Sequence, residues 1–297
     1  MAQTKLVWQS KLVLLVVMPF VAAQIVLEAH WWAAQMTPVA IWTVGLSVVL
    51  GLVTWKLRAA TPGASVTGAA ITASLMFSTA MFPYQPWRTA LPAVVAVSLL
   101  AYFATLLGRG HKEQLGTAED RHGRNAAQVA ANLGVAALVS REFVQSWFVD
   151  SGLTRSALAP LPVLALGLAA LAEAAADTVS SEIGQVFGGR PRMITTLRVV
   201  EPGRDGGVSV IGTLAGALAA GVVAGAGTLA FSGDWTMFWV SSTGGVFGLL
   251  FDSLLGATLE ERGWLNNDAV NFLSTASAAA FALVVLALEA HLGVGQG

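Results

Sequence analysis

Apolar residues run along this chain in blocks of about 20, the length that an α-helix needs to cross a lipid bilayer. They fall near 11–29, 39–57, 63–82, 90–108, 126–148, 159–179, 208–232, 237–258 and 269–290. The pattern predicts an all-α integral membrane protein with about nine transmembrane helices in one bundle. Two blocks are weaker than the rest. The third, GASVTGAAITASLMFSTAMF, is rich in small and hydroxyl residues, and the fifth carries Gln128, Asn132 and Gln145 and runs past Arg141 and Glu142. Either can be a re-entrant or bundle-interior element. No polar stretch between the blocks is large enough to fold alone, so one membrane domain is expected.

Composition agrees: 55% of residues are hydrophobic and 11% charged, with a mean hydropathy of +0.68, whereas a soluble domain carries about 25% charged residues. Cysteine is absent, which excludes disulfides, thiolate zinc sites and cysteine nucleophiles. The four histidines, His30, His111, His122 and His291, form no spaced pair of the kind zinc uses. The net charge of -1 says little, but the distribution of charge sets an orientation. With the N-terminus cytoplasmic, all Lys and Arg residues except Arg88, Arg141 and Arg155 fall on inner segments. That bias predicts an inner (plasma) membrane protein with an odd number of spans and the C-terminus outside. Lys5 and Lys11 ahead of an apolar core resemble a secretory signal, but no small-x-small cleavage site follows near Glu28, so the first span is read as a retained anchor. Trp31, Trp32, Trp42, Trp87, Trp235 and Trp239 are read as interfacial anchors.

On this topology the unusual polar residues gather toward the cytoplasmic face. Glu173 and Asp177 are four apart on the sixth span and share a helical stripe, with Glu182 on a neighbouring face. Asp252 is a second intramembrane acid, on the eighth span. Carboxylates at membrane depth are costly, so they mark a functional site or a paired contact. The loop between the sixth and seventh spans holds Arg190, Arg192, Arg198 and Arg204, the hydroxyls Thr195 and Thr196, and the turn PGRDGG with Asp205, Gly206 and Gly207, followed by Ser209. Arginine forks match phosphate oxygens, and glycines ahead of a helix start let backbone N–H groups approach an anion. Asn267, Asp268 and Asn271 open the ninth span. The first basic loop brings Lys112, Glu119, Arg124, Gln128 and Asn132 to the same side. Acids on separate helices beside a basic loop suit Mg²⁺ bridging phosphates, because Mg²⁺ takes oxygen ligands and few of them from protein. Simpler readings stand beside these. Orientation alone accounts for inner Lys and Arg, Asn267 and Asp268 can cap a helix, Glu119 can be a solvated loop residue, and Glu173 can serve a structural hydrogen bond.

The segments ADTVSSEIG, RPRMITTLRVVEPGRDGGVSVIGTLAG, FDSLLGATLE and WLNNDAVNFLS, with LGTAEDRHGRNAAQVAANLG, resemble the membrane family that contains the plant and cyanobacterial phytyl-phosphate kinase. The similarity runs from about residue 60 to 290, and it divides the chain into lead-in spans (1–60) and a polytopic catalytic domain (61–291). The resemblance implies a CTP-dependent kinase that converts an isoprenyl monophosphate into the diphosphate, with Mg²⁺ as cofactor and membrane lipid as surroundings. No nucleic-acid partner is implied, and the oligomeric state is left open. Carried onto this chain, Asp177 and Asp252 hold Mg²⁺ with Glu182 or Asp268. Arg190, Arg192, Arg198 and Arg204 clamp phosphates, Gly206 and Gly207 offer N–H groups, and Asn267 and Asn271 orient phosphate or ribose. The resemblance implies more basic residues in the first loop than the Lys112, Arg121 and Arg124 found here.

The rival from another class is a proton-coupled transporter of an anionic or lipid-linked solute. GASVTG and GVSVIG share a G-x-S-V-x-G pattern that an internal repeat would produce. A carrier predicts acids spread through the membrane depth; here they gather to one side.

Overall fold

A computed structural model describes residues 7–118, 123–141, 144, 146, 147, 150 and 161–294. Its helices are α1 (Val7–Gln35), α2 (Thr37–Lys56), α3 (Pro62–Ser78), α4 (Leu91–Leu106), α5 (Arg109–Leu115), α6 (Ala126–Val139), α7 (Leu161–Phe187), α8 (Val210–Ala230), α9 (Trp235–Leu255) and α10 (Asn267–Val294). A two-stranded antiparallel ribbon, β1 (Arg192–Met193) with β2 (Gly207–Val208), ties the loop between α7 and α8 back on itself.

Local chemistry starts these helices. Proline occupies the first turn of α2, α3 and α4, where its missing N–H costs nothing. Thr61 caps α3, Ser209 caps α8 and Asp234 caps α9, each accepting from a first-turn amide. Asn125 and Gln128 form a reciprocal capping box on α6.

Each apolar block has become a helix, but nine spans is too many. Among the described residues six helices are long and apolar enough to cross a membrane, and seven if the bent pair α4–α5 counts as one broken span. The two weak blocks account for part of the shortfall: α3 has 17 residues and α6 only 14. Both are largely buried in the bundle, the interior alternative that their polar composition allowed. In α4 the helix stops after 16 residues and turns by 66° into α5 at Gly108.

The bundle is organised around α7, which packs against α4, α6, α8, α9 and α10. Its alanine-rich stretch 169–176 is almost wholly buried, since small side chains let helix backbones approach closely where lipid offers no hydrophobic drive. At the other extreme, α2 buries a narrow stripe, Val39, Thr43, Ser47 and Gly51, four residues apart, and leaves Ile41, Trp42, Val48 and Val49 exposed. Of the tryptophans read as anchors, Trp31, Trp42, Trp87, Trp235 and Trp239 are exposed. Trp32 is not: it is buried and donates through Nε1 to Glu28 Oε2 at 3.1 Å.

Candidate functional site

The chain ends of the helices set where the polar residues meet. The C-terminal ends of α7 and α9, the turn that follows α5 and the N-terminal ends of α6, α8 and α10 surround one polar cavity of about 430 Å³. Asp177 reaches it from α7, Asp252 from α9, and Asn267 and Asn271 from α10. Arg204, Asp205, Gly206, Gly207 and Ser209 close it from the α7–α8 loop. Arg124, Gln128 and Asn132 close it from α6 and the residue before its cap. Residues read from separate segments of the sequence thus converge on one site.

Its electrostatics are acidic. Asp252 lies close enough to Asp177, Glu173 and Glu260 to interact with each charge, and Oδ2 of Asp252 is buried without a hydrogen-bond partner. Glu173 is buried behind the cavity, beside Asp177 and Ser274, and its Oε1 is also unpartnered. Gly248 of α9 makes room for it: a Cβ there would lie 2.4 Å from Glu173 Cγ and 2.9 Å from the Ser274 carbonyl oxygen. The charge of Arg124 acts on Asp177, and its guanidinium donates to Thr178 Oγ1 at 2.9 Å. Asp205, in the loop, has its pKa raised, first by burial and then by Glu261, with Arg204 pulling the other way.

Glu182 differs from these acids. It lines the cavity, but Lys112 donates to its Oε2 at 2.5 Å and Thr105 donates to its Oε1 at 3.1 Å. Lys112 is 1% exposed and also donates to the Ala104 and Thr105 carbonyls. The pair is a buried, matched strut between the α4–α5 corner and α7, so the Glu182 charge is already neutralised. This argues against Glu182 as a metal ligand and assigns Lys112 a structural partner.

Other sequence expectations land elsewhere. Arg190, Arg192, Thr195, Thr196 and Arg198 are exposed on the loop outside the cavity lining. Arg192 donates to the Leu197 carbonyl at 2.9 Å. Of this stretch Pro191 lines the cavity, while the arginine and threonine side chains on either side of it face out. Arg204 itself forms an ion pair with Glu261. The Gly207 N–H donates to the Arg204 carbonyl at 2.9 Å, so it closes the PGRDGG turn instead of facing an anion. Gly206 is required for another reason: its φ is +73°, and a Cβ would lie 2.4 Å from that of Ala257. Ser209 accepts from the Gly212 N–H as the α8 cap. Asp268 lies outside the cavity lining, beside Ser10. Asn266, not Asn267 or Asp268, caps α10, accepting from the Ala269 N–H at 2.9 Å. Glu119 lies outside the described residues.

Sequence reasoning missed Glu260 and undervalued Arg124. Glu260 reaches the cavity because α9 ends in a π turn, Gly256–Glu260, a geometry often found at functional sites. Arg124 is pinned through its backbone: its N–H donates to Ala59 and its carbonyl accepts from Thr61. No local pattern announces so distant a contact.

Does the donor set fit Mg²⁺? Among the described residues no group of three or more His, Cys, Asp or Glu is placed to hold a metal ion. Mg²⁺ does not need one, because it binds through one or two carboxylates with waters and substrate phosphates. Two carboxylates on different helices, one with an orphaned oxygen, supply that pattern, so the residues fit.

A family model described as an integral membrane protein, DUF92, matches residues 45–279. The chain belongs to the DUF92 family. This bears out the resemblance drawn from the motifs. An uncharacterized membrane protein of Methanocaldococcus jannaschii is 44% identical over 108 residues, 36% of this chain and 45% of that one. Another from Synechocystis sp. is 33% identical over 203 residues, covering 62% of this chain and 71% of that protein. Protein VTE6, chloroplastic, of Arabidopsis thaliana is 32% identical over 186 residues, 61% of this chain and 54% of that one. The chain thus spans about half the length of the archaeal and plant relatives. No solved structure matches it.

Proposed function

We propose that this DUF92 protein is a phosphotransferase that moves the γ-phosphoryl group of CTP onto an isoprenyl monophosphate, at the cytoplasmic face of the plasma membrane. The observation that carries this reading is the single cavity in which Asp177, Asp252 and Glu260 meet Arg124 and Arg204. The family, with its plant relative, supports the isoprenoid kinase class. An oxygen of the acceptor phosphate forms a bond to the γ-phosphorus, the bond from that phosphorus to the β–γ bridging oxygen breaks, and CDP leaves.

Such a transfer needs positioning and charge stabilisation more than covalent help. Arg124 is the residue that holds the acceptor phosphate, its fork matching two phosphate oxygens. Arg204, at the rim, offers a second fork to the triphosphate, and Asn267 and Asn271 orient phosphate or ribose. A phosphate monoester is already ionised near neutral pH, so no general base is required. Asp177 and Asp252 would hold Mg²⁺, which when bound screens the charge of the phosphates. Exposed Arg190, Arg192 and Arg198 supply a positive field that draws anions to the mouth. Arg58, Arg109 and Lys112 cluster at this same end of the bundle, which supports the cytoplasmic orientation.

The test is phosphoryl transfer by the purified protein in detergent with Mg²⁺. It uses γ-labelled CTP, with ATP, GTP and UTP as comparisons, and a panel of isoprenyl monophosphates. Label in an isoprenyl diphosphate, strongest from CTP, is the expected result. No product from any nucleotide, with the protein folded, would sink the kinase reading and favour the proton-coupled carrier, to be measured in liposomes.

A further inference from the structure

A second cavity adjoins the first. It is a cleft of about 490 Å³ between α2, α3, α4 and α6, within the ~300–1,000 Å³ range of small-ligand sites. Most of its wall is apolar, with Leu50, Val94, Val97, Val129 and Leu133, and small residues such as Gly68 and Ala101 open it. Its charged residues, Arg58, Arg109, Glu113 and Arg124, all stand toward the end of the bundle that carries the polar cavity.

The two cavities share a wall. Arg124 and Asn132 line both. Thr105 lines the cleft and donates to Glu182, which lines the polar cavity. An anionic head at Arg124 therefore stands at the entrance to an apolar slot, the shape of an amphiphile with one phosphate and one tail. Along α4 the lining runs from Leu106 back to Val94, which at a rise of 1.5 Å per residue is a depth of about 18 Å. That depth matches a farnesyl-to-phytyl tail, and a long polyprenyl chain exceeds it. A volume of about 490 Å³ is on the scale of one branched chain.

We propose that this cleft seats the isoprenoid tail of the acceptor, with its phosphate on Arg124 at the seam between the two cavities. The inference rests on the phosphotransferase reading for the identity of the lipid. In this arrangement Thr105 and the Lys112–Glu182 pair are positioning residues that hold the shared wall.

The test is photo-cross-linking, which needs no nucleotide and no turnover. A geranylgeranyl monophosphate carrying a diazirine at the tail end is added to the full chain in phosphatidylcholine nanodiscs, and labelled peptides are identified by mass spectrometry. Label is expected within 64–72, 94–106 or 129–133, competed by excess phytyl monophosphate but not by geranylgeraniol or phosphatidic acid. Ala101→Phe, which plugs the cleft, should cut this labelling by about tenfold or more. Label confined to the lipid-exposed faces of α1, α2 or α8 would overturn the proposal, as would equal competition by phosphatidic acid. If Ala101→Phe fails to fold, the wild-type label map still decides. Label in the cleft without phosphoryl transfer in the separate assay would support the tail site and remove the kinase reading. Transfer without label in the cleft would remove the tail site alone.

Discussion

The first helix α1 and the central helix α7 both pass as membrane spans, yet they are built on opposite plans. In its most apolar window α1 is 22% buried within the protein, whereas α7 is 83% buried. The less apolar helix is the more buried one. Lipid is as apolar as leucine, so greasy side chains face outward, and the interior goes to small residues and to polar groups that need partners. Thus α1 shows Leu15, Phe20, Val26 and Leu27 to lipid, and α7 carries Glu173, Asp177 and Glu182 inward. In this protein intramembrane polarity, not apolarity, points to the centre and to the site.

Breaking the strut on α7 should give the largest effect on the fold. Removing Lys112 leaves Glu182 buried and unpaired, so Lys112→Met should lower stability by about 3–5 kcal/mol. The double variant Lys112→Met/Glu182→Leu should recover much of that loss. Thermal unfolding in detergent measures both, and equal losses in the single and double variants would mean that the ion pair is not what holds the α4–α5 corner.

Packing offers the next contrast. Gly248→Ala on α9 drives a methyl group into Glu173 and the α10 backbone, at a cost of about 1–3 kcal/mol. Gly45→Ala on α2 meets nothing within 4 Å and should stabilise its helix by about 0.5–1 kcal/mol. Opposite signs are expected in the same unfolding assay, and the same sign at both positions would mean that α2 and α9 are packed alike.

The smallest effect is a pH dependence confined to the site end. Asp205 has a folded pKa raised by burial, so the folded state holds its proton more tightly than the unfolded chain. Its contribution to stability is full below the ordinary carboxylate pKa and fades as pH rises through the folded value. Asp205→Asn should flatten that part of the stability profile. An unchanged slope would show that other groups set it.

The sequence made the helices legible because hydropathy reports segments that must be dehydrated, but it overcounted spans. The blocks at 63–82 and 126–148 are apolar for the sake of packing against protein, so α3 and α6 stop short of membrane length. The site was legible where acids stand inside apolar sequence, as at Asp177 and Asp252. Arginines deceived, because charge alone does not tell a rim from a cavity: Arg190, Arg192 and Arg198 sit on the outer part of a loop that the β1–β2 ribbon folds back. Arg124 and Glu260 were hidden for the converse reason. One depends on a contact with Ala59 far away in sequence, the other on a π turn that no short motif encodes.

If the cavity is the active site, the acids inside it carry the chemistry and Asp268, just outside it, does not. Initial rates of diphosphate formation for Asp252→Asn and Asp268→Asn, side by side with the parent protein, test that most directly. Loss of a carboxylate that would hold Mg²⁺ should slow Asp252→Asn by about 10²-fold or more, and Asp268→Asn should stay within about threefold of the parent. A folded Asp252→Asn protein with parental activity, or an Asp268→Asn protein that has lost it, would show that the chemistry lies elsewhere.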